Sequence, residues 1–150
     1  MLHIFYSEHF IVGRFRNVTL KNYRKEQMSA SEIVQQAYEA FGEGDMEKLA
    51  SLMSDSYVGK LPESLPNGGT FNGPNDFIQN CLAKIPTLWS DFEIEPIQIY
   101  ESGNTVFFHG KITAGGKTSE TMHMSVVEDG KFVKFQAFDD SATLNSVANT

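Results

Sequence analysis

The sequence predicts an α+β domain: a curved antiparallel sheet with three N-terminal helices packed on one of its faces. Three observations carry this. Apolar residues recur at helical spacing in three stretches between residues 29 and 86. From Asp91 onward the pattern changes to strand-like runs, "DFEIEPIQIY", "TVFFHGKIT", "KTSETMHMSVVE" and "KFVKFQAFDD". Tight-turn signals separate those runs, at Ser102-Gly103-Asn104, Gly115-Gly116 and Asp129-Gly130. Helices followed by hairpin-linked strands pack as a helical layer on one sheet face.

The first helix starts at a capping box, Ser29 with Glu32, and buries Ile33, Ala37, Ala40 and Phe41 until Gly42 and Gly44 end it. Asp45 caps a second helix whose apolar stripe is Met46, Leu49, Leu52 and Met53. "SYVGKL" reads as a short strand, and "PESLPNGGTFNGPN" as a loop rich in proline and glycine. Pro74 opens a third helix carrying Phe77, Ile78, Cys81, Leu82 and Ile85, and Pro86 closes it. The strands then form an antiparallel meander, with Pro96 marking a bulge or an edge in the first of them.

A chain of 150 residues suits one domain, which at that size buries roughly two thirds of its unfolded surface. The domain is assigned to residues 28–150. Residues 1–27 read as an N-terminal extension, with Met28 an alternative start: five Lys+Arg against two Asp+Glu leave it at +3, so the remainder carries −10 of the total −7. That acidic balance argues against nucleic acid and against an anionic membrane surface as partners. No apolar run is long enough for a signal peptide or a membrane span. The single cysteine, Cys81, sits in an apolar helical pattern, reads as an inert core thiol and fits a reducing, cytoplasmic compartment. No Cys/His spacing suggests a metal, and no phosphate loop, dinucleotide fingerprint or nucleophile motif suggests a cofactor.

Two-residue turns fix strand register, so faces can be read from the sequence. The Gly115-Gly116 turn sets His109 opposite Met122 and Phe108 opposite His123; a regular Asp129-Gly130 hairpin sets Met122 opposite Ala137 and Met124 opposite Phe135. Phe107, Met122, Met124, Val126, Val133, Phe135 and Ala137 then share one face, and Thr121, His123, Ser125, Lys134 and Gln136 the other. Apolar surface gains about 25 cal/mol per Å² on leaving water, so the first face is expected to be buried. His109 is thereby predicted to point in and His123 out. The inner rows end in Lys111, Glu120 and Asp139, which suggests a pocket with an apolar floor and an ionisable mouth, its carboxylates roughly 5 Å apart. Asp139 is the expected general base and His109 its acid partner, with Phe107, Met122, Met124, Phe135, Lys111 and Glu120 contacting the ligand. An exposed cross-strand ion network is the alternative for the charged row.

The helical hairpin "YEAFGEGDMEKLASLMSDSY", the loop "GGTFNGPNDF" and the closing strand "DGKFVKFQAFDDSATL" resemble the SnoaL-like branch of the nuclear transport factor 2-like superfamily over about residues 29–147. The resemblance implies a cone-shaped pocket between helices and sheet, and a homodimer through the outer sheet face. Its ketosteroid isomerase relatives use a tyrosine, an aspartate base and a protonated aspartate. Those positions fall at Ala37, Leu61 and Met124, so that set of groups is missing; Tyr38 lies one place away, about 100° around the helix. The resemblance to polyketide cyclases implies an aspartate near the last strand, either Asp139 or Asp140, and Asp140 with Ser141 looks like a helix cap. The sequence thus leads to a small hydrophobic ligand and a cofactor-free isomerase, cyclase or dehydratase. The alternative is a non-catalytic binding or assembly module acting through a dimer surface around His123 and Gln136.

Overall fold

A computed structural model describes residues 28–149; the reading of residues 1–27 as an extension lies outside them. Helix α1 spans Ala30–Glu43, α2 Met46–Ser51, α3 Pro74–Asn80, α4 Ile85–Leu88 and α5 Ser141–Val147. Strand β1 spans Met53–Leu61, β2 Gly69–Asn72, β3 Glu93–Ser102, β4 Thr105–Ala114, β5 Lys117–Glu128 and β6 Lys131–Asp139. They form one sheet in the order β2-β1-β6-β5-β4-β3. All neighbours are antiparallel except β1 and β6, which run parallel.

Local chemistry sets the helix ends as expected. The Ser29 hydroxyl accepts from the Glu32 amide at 3.2 Å while the Glu32 carboxylate accepts from the Ser29 amide at 3.3 Å. Gly44 ends α1 in the left-handed conformation, and the Asp45 carboxylate accepts from the Lys48 amide. Helix α1 then seats Ile33 and Val34 at 1% and 0% exposure, each worth roughly 1.5–3 kcal/mol of transfer out of water.

Three element assignments change. Met53 belongs to β1, because pairing with β6 begins there and α2 stops at Ser51. The loop before Pro74 contains β2, whose "GTFN" completes an antiparallel pair with β1. Pro86 does not close a helix; it lies in the first turn of α4, where its missing N–H costs nothing, and a single 3₁₀ turn, Leu82–Lys84, links α3 to α4. Pro96 marks both a bulge and an edge: register slips between Pro96 and Gln98, and β3 is an outermost strand.

The sheet faces require the main correction. The β4–β5 register is the expected one, with His109 opposite Met122 and Phe108 opposite His123. The buried face, however, carries Val106, Phe108, Ile112 and Ala114 of β4 with Thr121, His123, Ser125 and Val127 of β5. On β4 the choice is one-sided, since the opposite phase offers Phe107, His109 and Lys111, and register commits β5 to follow. A bulge between Val126 and Val127 then moves the β5–β6 pairing by one residue, so that His123 meets Ala137 and Thr121 meets Asp139. As a result Phe135, Ala137 and Asp139 do face inward, beside His123 and not beside His109.

Candidate functional site

An apolar cavity of about 110 Å³ lies between the helical layer and the sheet. Among its lining residues are Phe41, Leu49, Phe77, Trp89, Ile112 and Phe132, with Tyr38, His123, Ser125, Asp139, Tyr57 and Asn67 supplying polar atoms. The polar groups come from separate elements. Tyr38 is on α1, one turn beyond Val34 and next to Ala37, both buried, and its ring stacks on Phe108 with centroids 3.9 Å apart. Gly110 makes room for that stack: a Cβ there would sit 2.3 Å from the Phe108 ring.

The ionisable groups form a chain. The Tyr38 hydroxyl lies 2.6 Å from His123 Nδ1, and His123 Nε2 lies 3.2 Å from Asp139 Oδ1. A carboxylate only accepts, so Nε2 carries the proton toward Asp139, and in the neutral form of the ring Nδ1 accepts from Tyr38. The Thr121 hydroxyl also donates to Asp139 Oδ1. The His123 and Asp139 side chains are 9% and 7% exposed, and Phe135 meets the imidazole edge-on at 4.9 Å.

Burial would raise the Asp139 carboxyl, but the hydrogen bond and charge of His123 and the Thr121 hydroxyl together outweigh it and hold the group below its ordinary range. Burial, reinforced by the negative charge of Asp139, keeps the Tyr38 phenol protonated well above its usual value. Tyr57 is raised in the same direction by burial. Burial also pushes the Cys81 thiol up to about 12, so it is no nucleophile at neutral pH, in keeping with a core role.

The Asp139 shift has a testable consequence. A carboxyl whose folded value lies below its unfolded one adds stability above the unfolded value, near 3.9, and loses it as pH falls through the folded value. The stability gap between wild type and Asp139→Asn in urea unfolding is therefore expected to be full at pH 6 and to narrow from about pH 5 downward. Carboxylates such as Asp76, Asp91 and Asp140, also lowered by hydrogen bonds, cancel in the difference. A gap independent of pH would contradict an ionised, paired Asp139.

The structure brings only part of the expected set together. Asp139 and Phe135 line the cavity; His109, Lys111, Glu120, Phe107, Met122 and Met124 do not. His109 Nε2 pairs with Glu120 at 2.8 Å, and Lys111 with Glu95 at 2.8 Å, on the outer face. Lys111 and Glu120 thus belong to exposed cross-strand ion pairs, the alternative for that row, while Asp139 leaves it for the cavity. His123, expected on an outer dimer surface, is inside, while Gln136 does lie on the outer side of β6 opposite Met124. Asp140 caps α5 by accepting from the Thr143 amide at 3.0 Å. The sequence gives Tyr38 no role beyond its place one residue off the isomerase tyrosine, although its i+4 spacing from Val34 marks it as inward, and for Asn67 the loop offers no signal. Among the described residues no cluster of three or more His, Cys, Asp or Glu suits a metal, and no helix is long and apolar enough to cross a membrane.

Comparison with known proteins agrees with this architecture. The SnoaL-like domain family matches residues 34–135. No curated protein sequence matches the chain. Among solved structures, an NTF2-like protein from Burkholderia thailandensis is similar at TM-score 0.74 and 20% identity, covering 80% of this chain and 97% of that one. TerC, crystallised with polyporic acid, is similar at TM-score 0.71 and 24% identity over 79% of this chain and 96% of its own. IdmH, a proposed polyketide cyclase from Streptomyces antibioticus, gives TM-score 0.67 and 20% identity over 79% and 97%. With a family match across most of the described residues and a six-stranded curved sheet that shelters a cavity beneath its helices, the chain belongs to the SnoaL-like family of the nuclear transport factor 2-like fold.

Proposed function

We propose that the cavity holds a small, ring-containing hydrophobic molecule and that the chain moves a proton on it without a cofactor, in an isomerisation, cyclisation or dehydration. The observation that carries this reading is the Tyr38–His123–Asp139 chain opening on a largely apolar cavity. Its parts have distinct roles. Asp139, held ionised, orients His123 and stabilises the imidazolium that forms when Nδ1 takes a proton from carbon. Tyr38, held protonated, turns its O–H from Nδ1 to the oxygen of the resulting enolate. The C–H bond breaks, an N–H bond forms, and the same imidazolium returns the proton at another atom. Asp139 stays in the proposed site but yields the role of base, first given to it, to His123, and Tyr38 takes the oxyanion role first given to His109. Structural relatives crystallised with polyporic acid or described as a polyketide cyclase support a ring-bearing ligand.

The test needs no knowledge of the natural substrate. Proton exchange at the α-carbon of 2-tetralone in D₂O, followed by NMR, is expected to be faster with the protein than in buffer and to require His123. Exchange at the buffer rate by a protein that binds the ketone would favour the second reading, a non-catalytic binding module. One observation supports that alternative: both imidazole nitrogens already have protein partners.

The same reading pairs two copies through the outer sheet face. Adjacent rows there carry Tyr100, Phe107 and Met124, then Met122 and Phe138, and Tyr100 and Phe138 are 54% and 55% exposed. Phe138→Glu is expected to convert a dimer to monomer in light scattering at micromolar concentration, with stability changed by no more than about 0.5 kcal/mol. A wild-type monomer at the same concentration would exclude the pairing.

A further inference from the structure

One polar group in the cavity wall is left over by the chemistry above. Asn67, in the loop between β1 and β2, is 2% exposed and lines the cavity. Its Oδ1 is a buried side-chain atom with no hydrogen-bond partner among the described residues. The orientation of the amide follows from its neighbours. Nδ2 lies 3.4 Å from the Cys81 carbonyl and 3.8 Å from the Cys81 sulfur. A carbonyl only accepts, so the NH₂ group must face it, and the oxygen is the atom left unpaired. The position is also held from the backbone side. The Leu65 amide donates to the Pro62 carbonyl at 3.0 Å and the Gly68 amide to the Leu65 carbonyl at 2.9 Å. A Cβ on Gly68 would stand 1.9 Å from the Pro62 oxygen, so the loop closes this tightly only around glycine.

A buried acceptor without a donor is unfavourable, and an apolar residue of the same shape would avoid the cost. Asn67 contributes nothing to Cys81 that is otherwise lacking, because the Cys81 carbonyl also accepts from the Lys84 amide at 3.3 Å. What the arrangement lacks is a donor on the occupant. We propose that Asn67 Oδ1 is the specificity-determining contact of the cavity, selecting ring-containing ligands that carry a hydroxyl or N–H donor, as a phenol, enol or lactam does, over ligands of the same shape without one. The proposal rests on the cavity being a ligand site, and it adds the chemical class that site accepts. Asn67 reaches the cavity from the loop packed on Cys81, whereas His123 and Asp139 come from the sheet, so donor recognition and proton transfer engage different parts of the ligand.

The experiment compares 2-naphthol with 2-methylnaphthalene, which share shape and differ in the donor, by titration against wild type and Asn67→Leu. Wild type is expected to prefer 2-naphthol by about tenfold, and Asn67→Leu to lose that preference while binding 2-methylnaphthalene at least as well. Equal affinity for the two probes in wild type, or a preference that survives in Asn67→Leu, overturns the assignment to Asn67 and leaves the cavity reading intact. Failure of wild type to bind either probe overturns both. Should Asn67→Leu not fold, the Asn67 side-chain amide resonance of wild type decides: a shift with 2-naphthol and not with 2-methylnaphthalene supports the contact, and equal shifts overturn it.

Discussion

Asp139→Asn is expected to slow proton exchange on bound 2-tetralone by about 10²–10⁴-fold, while His109→Ala leaves the rate within about twofold of wild type. The asymmetry follows from strand phase. Asp139 accepts from His123 Nε2–H at 3.2 Å, and this bond places the acceptor lone pair on Nδ1, beside the cavity. An amide of the same shape can keep a hydrogen bond but supplies no charge, so the imidazolium loses its counter-ion in a site with little water to replace it. It can also present its NH₂ to Nε2, which moves the proton to Nδ1 and removes the base. Asn fills the same space, so melting of the variant at pH 7 should remain cooperative, and a lost rate cannot then be ascribed to unfolding. His109 lies on the other side of the sheet, paired with an exposed Glu120. Initial rates from NMR at matched ketone saturation decide the matter. Wild-type exchange by Asp139→Asn would remove Asp139 and its hydrogen-bond chain from the chemistry.

Trp89→Ala is expected to lower unfolding free energy by about 3–5 kcal/mol, the range for removing a large buried aromatic. Trp89 is 2% exposed and does two jobs at the cavity floor. Its ring packs against Phe92 and into the cluster of Ile85, Ile112 and Leu144, and its indole N–H donates to the Leu144 carbonyl at 3.1 Å, tying α5 to the segment after α4. Trp89→Phe keeps much of the packing and loses the donor, so it should fall between, with the hydrogen bond alone worth about 1 kcal/mol. Urea unfolding of the three proteins separates the contributions. A loss below about 1 kcal/mol in Trp89→Ala would mean that the floor collapses freely around the gap, which contradicts a cavity walled by fixed side chains.

Much of the fold was legible because it depends on neighbours in sequence. Ser29 with Glu32, Asp45, the Gly115-Gly116 and Asp129-Gly130 reversals and the Asp140 cap each act over a few residues, and each is found where the local chemistry puts it. The candidate site depended on a longer inference, the choice of the buried sheet face. Met122, Met124 and Val126 suggested one answer from β5 alone, whereas Val106, Phe108, Ile112 and Ala114 on β4 held the opposite one in the same register. Register ties the faces of the two strands, so the stronger apolar run on β4 decides for β5 as well. The bulge opposite Val126 and Val127, at Phe132-Val133-Lys134, carries no glycine or proline to announce it. It returns Phe135 and Asp139 to the buried face, where the sequence pattern also put them, but beside His123 in place of His109. The acceptor on Asn67 depends on packing against Cys81, fourteen residues away, and leaves no local pattern.

The extra residue in β6, Val133, which lies between the partners of Val126 and Val127, works as a half-step in the pleat. Upstream of it the ladder wears its methionines outward; downstream, counting resumes on the other beat and delivers a carboxylate beneath the helices. Deleting one of residues 134–137 would reverse that delivery and leave His123 facing Phe138, and adding one there would leave it facing Gln136. The Gly103-Asn104 reversal, which lies upstream of this half-step and far from the carboxylate, is under no such arithmetic. Length variation among kindred chains should therefore accumulate at that end of the meander and be purged from the final hairpin.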